Sequence, residues 1–382
     1  MDADDHLAHL PLIRHPSSVI RHPSSIIHHP SSIIHLPSSI IPHPLSNRKG
    51  TILDIQTILH PIQDELAQVE ARLLAEAATP YAGLNTALNH LLRAGGKRIR
   101  PALALLAVHV AADGDFDRDK AIRFATGTEL LHTATLIHDD MVDRAELRRG
   151  QPTLNTILPA GLVVLVGDYL FARSAVLGAG VENTPLTLLY ARTLETICGG
   201  ELRQAFSNRD WRQSKAAYYQ KIYSKTAALF ILATEGGALL VGAPQAAQET
   251  LREYGHKLGL AFQIVDDILD FTSTCQELGK PVGSDLRQGT VTLPTLYYLA
   301  DAPADNPVRR YLDRGIEAPG PEKERQLAEA VAAIAASAAI EKSYQEAATF
   351  AREAQVALAT LADSQHCHSL HELASYVVRR RN

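Results

Sequence analysis

The sequence has few of the residues that cross-link or rigidify a small fold. Its 382 residues include three cysteines and one tryptophan, and aromatic residues make up only 5%. The cysteines, Cys198, Cys275 and Cys367, lie far apart, which excludes a disulfide framework and a zinc ribbon. Widely spaced cysteines suit a reducing compartment, so we expect a cytoplasmic protein.

A basic excess and a long apolar run are also absent from the sequence. Lysine and arginine total 37 against 42 aspartate and glutamate residues, so the charge does not indicate a nucleic-acid partner. A membrane span needs about 18 or more apolar residues. Asp168 interrupts the best candidate, Leu158–Ala172, and Glu235 interrupts the next, Ala227–Pro244. We therefore expect no transmembrane segment.

The first 50 residues form a separate region. Four seven-residue units, from HPSSVIR to LPSSIIP, run from His15 to Pro42. A proline in every unit excludes a continuous helix, so we interpret residues 1–50 as a disordered extension. A histidine-rich metal-binding tract is the alternative. The folded domain is then residues 51–382.

From Leu53 onward, the sequence predicts an all-α domain. Apolar residues recur at steps of three and four, which is the period of an amphipathic helix. Glycine and proline clusters separate about ten segments of helical length, and Gln326–Leu361 is made almost entirely of helix formers. The sequence contains neither an alternating strand pattern nor a phosphate-binding glycine loop.

Two acidic motifs give the strongest functional signal. Each reads D-D-x-x-D, the first at Asp139–Asp143 and the second at Asp266–Asp270. Residues i and i+4 share one face of a helix, so each motif projects three carboxylates from about one turn. Burying such charge without cations is prohibitive, and all-oxygen ligands suit Mg²⁺. The alternative is that the aspartates simply lie on a solvated helix face. That explanation suits a single copy of the motif better than two copies.

Several cationic residues lie close to these motifs in sequence. His132 is two helical turns before the first motif, on the same face. The terminal arginines, Arg379–Arg381, are expected to be solvated. Carboxylates that hold Mg²⁺ opposite lysine and arginine suit a diphosphate ligand. The candidate cations are Lys97, Arg100, Arg148, Arg149, Lys225 and Lys280.

Together these segments resemble those of the polyprenyl synthetase family, the trans-isoprenyl diphosphate synthases. The resemblance spans about residues 52–380, and the repeat before it has no counterpart. The matching segments are Gly95–Pro101 (GGKRIRP), Glu129–Asp143, Arg148–Asn155, Gly167–Phe171 (GDYLF), Lys225-Thr226, Phe262–Asp270 and Gly279–Pro294.

The resemblance implies a fold and a reaction. The fold is an antiparallel helical bundle around a deep central cavity, the isoprenoid synthase type I fold, with the two motifs facing each other across its mouth. The reaction condenses isopentenyl diphosphate with an allylic diphosphate and depends on Mg²⁺, with about three ions in the substrate complex. The resemblance also implies a homodimer and peripheral membrane contact during product release.

Residue roles follow from the same resemblance. The main Mg²⁺ ligands match Asp139, Asp143 and Asp266, and the supporting ligands match Asp140, Asp267 and Asp270. Residues that match the isopentenyl diphosphate site are Lys97, Arg100, His132 and Arg149. Those that match the allylic diphosphate site are Arg148, Lys225, Thr226, Gln263 and Lys280. Many members have a lysine where Thr290 follows Gly289 here, so no role is carried over to that position.

Small residues before the first motif favour a long product. In the family, the positions four and five residues before the first aspartate help to set chain length, and here they are Thr135 and Ala134. An ideal helix places Thr135 about 40° from Asp139 and Ala134 about 140° away, so helical periodicity supports only Thr135. The first ring, Phe124, lies about 22 Å below Asp139. This depth predicts a product of about six to ten isoprene units, suited to a quinone side chain.

Two alternatives stay open on the sequence. A bulky residue from a neighbouring helix would close the cavity and give a geranylgeranyl or farnesyl diphosphate synthase. The other alternative is that the chain is one subunit of a heteromeric prenyl synthase. A regulatory subunit should have degraded motifs, however, and both motifs are intact here. The preferred allylic primer and the pathway served do not follow from the sequence.

Overall fold

α-Helices dominate the computed structural model, which describes residues 54–93, 96–148, 150–207, 210–273, 282–313 and 320–380. Within these ranges the only sheet is a two-stranded antiparallel ribbon of β1 (Leu147–Arg148) and β2 (Gln151–Pro152). The predicted all-α class is therefore confirmed. The predicted extension lies outside the described residues, so its boundary near residue 50 stays a prediction.

The described ranges contain sixteen α-helices, against about ten expected. The first eight are α1 (Ile55–Leu59), α2 (Gln63–Glu76), α3 (Ala82–Arg93), α4 (Ile99–Ala111), α5 (Arg118–Val142), α6 (Ala160–Ala179), α7 (Thr184–Ser207) and α8 (Lys215–Ile222). The next eight are α9 (Ala228–Leu240), α10 (Gln245–Thr272), α11 (Ser284–Arg287), α12 (Leu293–Asp301), α13 (Pro307–Asp313), α14 (Pro321–Ala335), α15 (Ala339–Ala357) and α16 (Gln365–Arg379). A π-helical segment, Tyr223–Ala227, joins α8 to α9 and is called the π segment below.

Local hydrogen bonds explain one of the extra breaks. The helical run predicted across Gln326–Leu361 is divided between α14 and α15. There the Ser337 hydroxyl donates to the Ile334 carbonyl at 2.8 Å and accepts from the Ala339 amide at 3.2 Å. Serine side chains that bond to nearby backbone compete with the helical ladder, so the break arises at a residue that composition alone does not mark.

The two helices that carry the acidic motifs, α5 and α10, are the longest and lie inside the bundle. Asp117 begins α5 by accepting a hydrogen bond from the Lys120 amide at 3.0 Å, a side-chain cap of the usual kind. α5 packs mainly against α6, whereas α10 packs mainly against α9 and α15. Both motifs are therefore carried on helices fixed by extensive burial rather than on loops.

Helix α6 presents an apolar outer face. It is the one helix of the described residues that is long and apolar enough to span a membrane, and a third of its apolar window is buried in the fold. Core helices of bundles share this length and composition. Its outer surface exposes Leu162, Val164, Leu165 and Val176, and no described element covers these side chains.

A glycine lets α10 approach the π segment closely. A Cβ atom at Gly259 would lie 2.5 Å from the Ala227 Cα atom, which is backbone and cannot rotate away. This contact places α10 directly against the segment that carries Lys225. The glycine is therefore required by helix packing.

We predict that Gly259→Ala destabilises the protein by about 2–3 kcal/mol, because the methyl group would force α10 and the π segment apart. Urea unfolding followed by circular dichroism measures this. Gly161→Ala in α6 is the matched control, since its Cβ would meet nothing within 4 Å, and it should be neutral or slightly stabilising. Equal stability of the two variants would contradict the packing argument.

Candidate active site

Both acidic motifs lie at the C-terminal ends of their helices. Asp139 and Asp140 are in the last turn of α5, and Asp143 caps that helix. The second motif, Asp266–Asp270, lies in the last two turns of α10. The helix dipole is negative at a C-terminus and disfavours further negative charge there. Each motif therefore needs cations or hydrogen-bond donors close by.

Three of the six motif carboxylates are buried and satisfied by the protein. Asp140 forms an ion pair with Arg148, whose Nε lies 2.9 Å from both carboxylate oxygens. Asp267 accepts hydrogen bonds from the Tyr218 hydroxyl at 2.7 Å and from Gln263 Nε2 at 2.8 Å. The backbone amide of Asp285 donates to Asp270 at 3.0 Å. These three carboxylates therefore hold Arg148, Tyr218 and the Asp285 amide in position beside the site.

The other three motif carboxylates remain accessible to solvent. Asp143 and Asp266 are exposed and Asp139 is partly exposed. They are the same three aspartates that the resemblance gives as main Mg²⁺ ligands. Asp139 and Asp143 are one turn apart on α5, so their carboxylates suit one hard cation.

The donor set fits a divalent cation that shares its coordination with a ligand. Within the described ranges, no three His, Cys, Asp or Glu side chains form a ready-made metal cage. Mg²⁺ usually takes one or two protein carboxylates and fills its remaining positions with water and substrate phosphate oxygens. Accessible carboxylates on two separate helices agree with that mode of binding.

Lys225 is the cationic centre of the site. Lys225 keeps exposed surface. The protein around it displaces water and lowers its pKa, but the carboxylates of Asp139, Glu201, Asp285 and Asp143 more than offset this and raise the pKa overall. Lys225 therefore stays protonated beside the first motif. The π segment widens the helix at this point and turns the lysine toward α5 and α7.

Lys225 is also linked to the second motif through its neighbour, Thr226. The Thr226 hydroxyl donates to the Gln263 side-chain oxygen, and Gln263 Nε2 donates to Asp267 at 2.8 Å. Tyr218 from α8 completes this chain at Asp267. The structure thus links Thr226 and Gln263, which the resemblance gives to the allylic diphosphate site, to Asp267, which it gives as a supporting Mg²⁺ ligand.

Sequence reasoning missed three residues of this site. Glu201 and Asp285 both act on the pKa of Lys225. The pKa of Asp143 is raised, chiefly because the surrounding protein displaces part of its water, and a hydrogen bond from Gln288 partly offsets this. A signal existed for Glu201, because Gly199-Gly200 precedes it in an apolar helix. A Cβ at Gly200 would lie 2.4 Å from the Ser224 Cβ, so α7 meets the π segment there.

The GGKRIRP segment divides its cations between structure and site. Arg98 adopts a left-handed backbone conformation, with φ of 49°, and points inward to an ion pair with Glu129 at 2.9 Å. Arg100 instead lies 3.0 Å from His132 Nε2, and Lys97 lies 5.4 Å from the centre of the Tyr376 ring. Arg100 and His132, two of the residues that the resemblance gives to the isopentenyl diphosphate site, are therefore in contact.

A small cleft, with a cavity volume of about 40 Å³, adjoins Arg98. His132 and Arg148, two predicted substrate-binding residues, lie in its wall with apolar side chains from α3, α5 and the loop after β2. Two further predicted residues, Arg149 and Lys280, lie outside the described residues.

The two predicted chain-length positions differ in environment. Thr135 is partly exposed and lies one turn before Asp139, whereas Ala134 has no exposed surface. Further down α5, Phe124 is fully buried. Its ring packs against Gly236 of α9. Of the two positions, only Thr135 therefore has a side chain with accessible surface.

The GDYLF segment of α6 anchors the start of the first motif. A Cβ at Gly167 would lie 2.1 Å from His138 Nε2, so only glycine leaves room for that ring. His138 Nε2 also lies 3.2 Å from the Val164 carbonyl and 3.6 Å from Asp168. The role of Gly167 and Asp168 is therefore to fix His138, the residue before Asp139.

Comparison with known proteins shows the family to which this chain belongs. The family model for polyprenyl synthetase matches residues 82–334, and the chain belongs to this family. It is 39% identical to heptaprenyl diphosphate synthase component 2 of Geobacillus stearothermophilus, over 84% of this chain and 97% of the relative. It is 33% identical to octaprenyl diphosphate synthase of Haemophilus influenzae, over 87% and 99% respectively.

Solved structures show the same fold. The polyprenyl synthase of Caulobacter crescentus, in complex with calcium and isoprenyl diphosphate, superposes with a TM-score of 0.81 at 34% identity, covering 87% of this chain and 99% of that one. The chain has the isoprenoid synthase helical fold and is a prenyltransferase that makes polyprenyl diphosphates from isoprenoid diphosphate substrates.

A pH prediction follows from Asp267. Burial, and then the nearby Asp285, raise the pKa of Asp267 to about 7 from 3.8. The folded protein thus binds a proton that the unfolded chain releases, so stability falls as pH rises from about 4 to about 7 and stays low above that.

We therefore expect Asp267→Asn to stabilise the metal-free protein more at alkaline pH. An amide can still accept from Tyr218 but carries no buried charge. The gain over wild type should be about 2 kcal/mol larger at pH 8 than at pH 5, measured by urea unfolding in EDTA. A gain that does not change with pH would show that Asp267 is not the group responsible.

Proposed function

We propose that this prenyltransferase condenses isopentenyl diphosphate with an allylic diphosphate in a Mg²⁺-dependent reaction, and that it makes an all-trans chain of medium or long length. The observation that carries the proposal is the accessible set of Asp139, Asp143 and Asp266 on two helices, next to a lysine kept protonated by carboxylates. This arrangement suits a diphosphate held between metal ions and cationic side chains.

The protein side chains would divide the work of the reaction. Lys225 and Arg148 would bind the allylic diphosphate, and Arg100, His132 and Lys97 would hold isopentenyl diphosphate beside it. Bound Mg²⁺ would neutralise charge on the departing diphosphate. Donors already oriented by ion pairs, such as Arg148 on Asp140, need little rearrangement as that charge develops. Apolar walls below the motifs would keep water from the allylic cation.

Two observations support a medium or long product. The relatives described above include proteins named for heptaprenyl and octaprenyl products. Thr135, the partly exposed position one turn before Asp139, is small, so no aromatic ring projects from this position. A product of about six to ten units, as helix geometry predicts, would suit a quinone side chain.

A homodimer and a cytoplasmic location complete the proposal. Apolar side chains are exposed on α6 and α7, including Leu165, Leu188 and Leu202, and an exposed surface of this kind usually meets a partner. A second copy of the chain is the occupant that we propose, and a monomer mass in light scattering would contradict it. Cys198 and Cys367 are free, as suits a reducing compartment.

A second candidate is the catalytic subunit of a heteromeric synthase. The observation in its favour is the relative that is named component 2 of a heptaprenyl diphosphate synthase. In that case the purified chain alone would be inactive with every allylic primer and would gain activity only with a second subunit. Peripheral membrane contact during product release would suit either candidate.

The direct test is product analysis with the purified chain, labelled isopentenyl diphosphate, an allylic primer and Mg²⁺. We expect Asp139→Asn and Asp266→Asn each to lower turnover at least about a hundredfold, because each removes a cation ligand that acts on the leaving group. Asp363→Asn, at a surface aspartate that is 86% exposed, is the matched control. Near-normal turnover of the first two variants would refute the metal role.

Chain length has its own test at Thr135. We expect Thr135→Phe to shorten the product sharply while the first condensation continues, since the ring would project below Asp139. Mass spectrometry of the products measures this, and Thr349→Phe on the exposed face of α15 is the control. If wild type already stops at farnesyl or geranylgeranyl diphosphate, the long-chain proposal is wrong.

A further inference from the structure

Arg380 is buried, although the sequence predicts a solvated C-terminus. It directly follows α16, and its side chain is only 8% exposed. The guanidinium lies over the Phe262 ring, with Cζ 3.8 Å from the ring centre, and Nη2 donates to the Phe262 carbonyl at 2.8 Å. The neighbouring Arg379 is 52% exposed, as expected for a chain end. The burial is therefore particular to Arg380.

The ionic partner of Arg380 is a proposed metal ligand. Its Nη2 atom lies 3.4 Å from Asp266 Oδ1, and Asp266 is the only acid paired with it among the described residues. Arg380 Nε has no hydrogen-bond partner in the same part of the chain, and burial lowers the pKa of the guanidinium. A buried charge with one long ion pair is poorly compensated, so a stronger cation can compete for Asp266.

The contact also links two parts of the site. Arg380 and Tyr376 are one turn apart, and the Arg380 amide donates to the Tyr376 carbonyl at 3.0 Å. The Tyr376 ring in turn faces Lys97, a predicted isopentenyl diphosphate residue. The C-terminal end of α16 therefore contacts both the second acidic motif and the GGKRIRP segment.

We propose that Arg380 is a built-in counter-ion of Asp266, which occupies this carboxylate in the metal-free protein and leaves it when a divalent cation binds. The inference rests on the proposed metal role of Asp266. Two consequences follow. The guanidinium competes with the cation and weakens metal binding before substrate arrives. Metal binding in turn loosens the C-terminal end, because coupling between the two events is reciprocal.

The first test measures metal affinity in the absence of substrate. Mn²⁺ is titrated into the full chain and free Mn²⁺ is followed by electron paramagnetic resonance. Removal of a partly buried competing charge should make Arg380→Gln bind Mn²⁺ roughly three- to tenfold more tightly than wild type. Arg379→Gln, which removes an exposed arginine from the same turn, should match wild type. Unchanged or weaker binding by Arg380→Gln would overturn the proposal.

A second variant assigns the effect to Asp266. In an Asp266→Asn background, Arg380→Gln should give no further gain, because the carboxylate for which the cations compete is absent. A gain that persists in that background would also overturn the proposal. If wild type binds no Mn²⁺ even with inorganic diphosphate present, the metal role in the proposed function fails as well. Normal metal binding without any effect of Arg380→Gln refutes this inference alone.

A third measurement needs no variant at Arg380. Trypsin can cleave after Arg380 only when that side chain leaves its buried position, and intact mass distinguishes this cut from cuts at neighbouring arginines. We expect Mg²⁺ alone to speed cleavage after Arg380 several-fold over EDTA in wild type, but not in Asp266→Asn. Equal cleavage rates with Mg²⁺ and EDTA in wild type would contradict release of the arginine.

Discussion

Negative charge at the C-terminal ends of two helices is the constraint on which the rest of the structure depends. Six aspartates lie where the dipoles of α5 and α10 already disfavour negative charge. Such an arrangement is stable only if donors and cations converge on it from other elements. The π segment supplies Lys225, and the ribbon supplies Arg148. Helix α8 supplies Tyr218, and α11 supplies the Asp285 amide.

Under this constraint, the six aspartates of the two motifs divide into a buried group of three and an accessible group of three. Asp140, Asp267 and Asp270 are buried and receive their partners from the protein. Their burial holds Arg148, Tyr218 and α11 in place, so the inner aspartates act as a frame. Asp139, Asp143 and Asp266 are left accessible and remain available to exogenous cations. Arg380 is a further cation that compensates this negative charge, because it forms an ion pair with Asp266, the accessible carboxylate of the second motif.

Particular residues show how far sequence reasoning reached. It identified both motifs and named Arg100, His132, Thr226, Gln263 and Asp267 as site residues, but the contacts that join Arg100 to His132, and Thr226 through Gln263 to Asp267, come from the structure. It did not distinguish Arg98 from its neighbours, although Arg98 alone turns inward to Glu129. It also did not find Glu201, Asp285 or Gln288, whose roles depend on which helices meet at Lys225. Helical phase favoured Thr135 over Ala134, and the exposure of the two residues agrees with it.

The sequence by itself determined the helical class, the position of both acidic motifs and the family, because periodicity and motif spacing are local properties of a chain. Only the tertiary structure decided which carboxylates are buried, which cations serve the site and where the C-terminal arginine lies. Those outcomes depend on contacts between residues that are far apart in sequence. Arg380 meets Asp266 across 114 positions, and Tyr218 meets Asp267 across 49. No local pattern specifies such pairs, since they arise from the packing of α8 and α16 against α10.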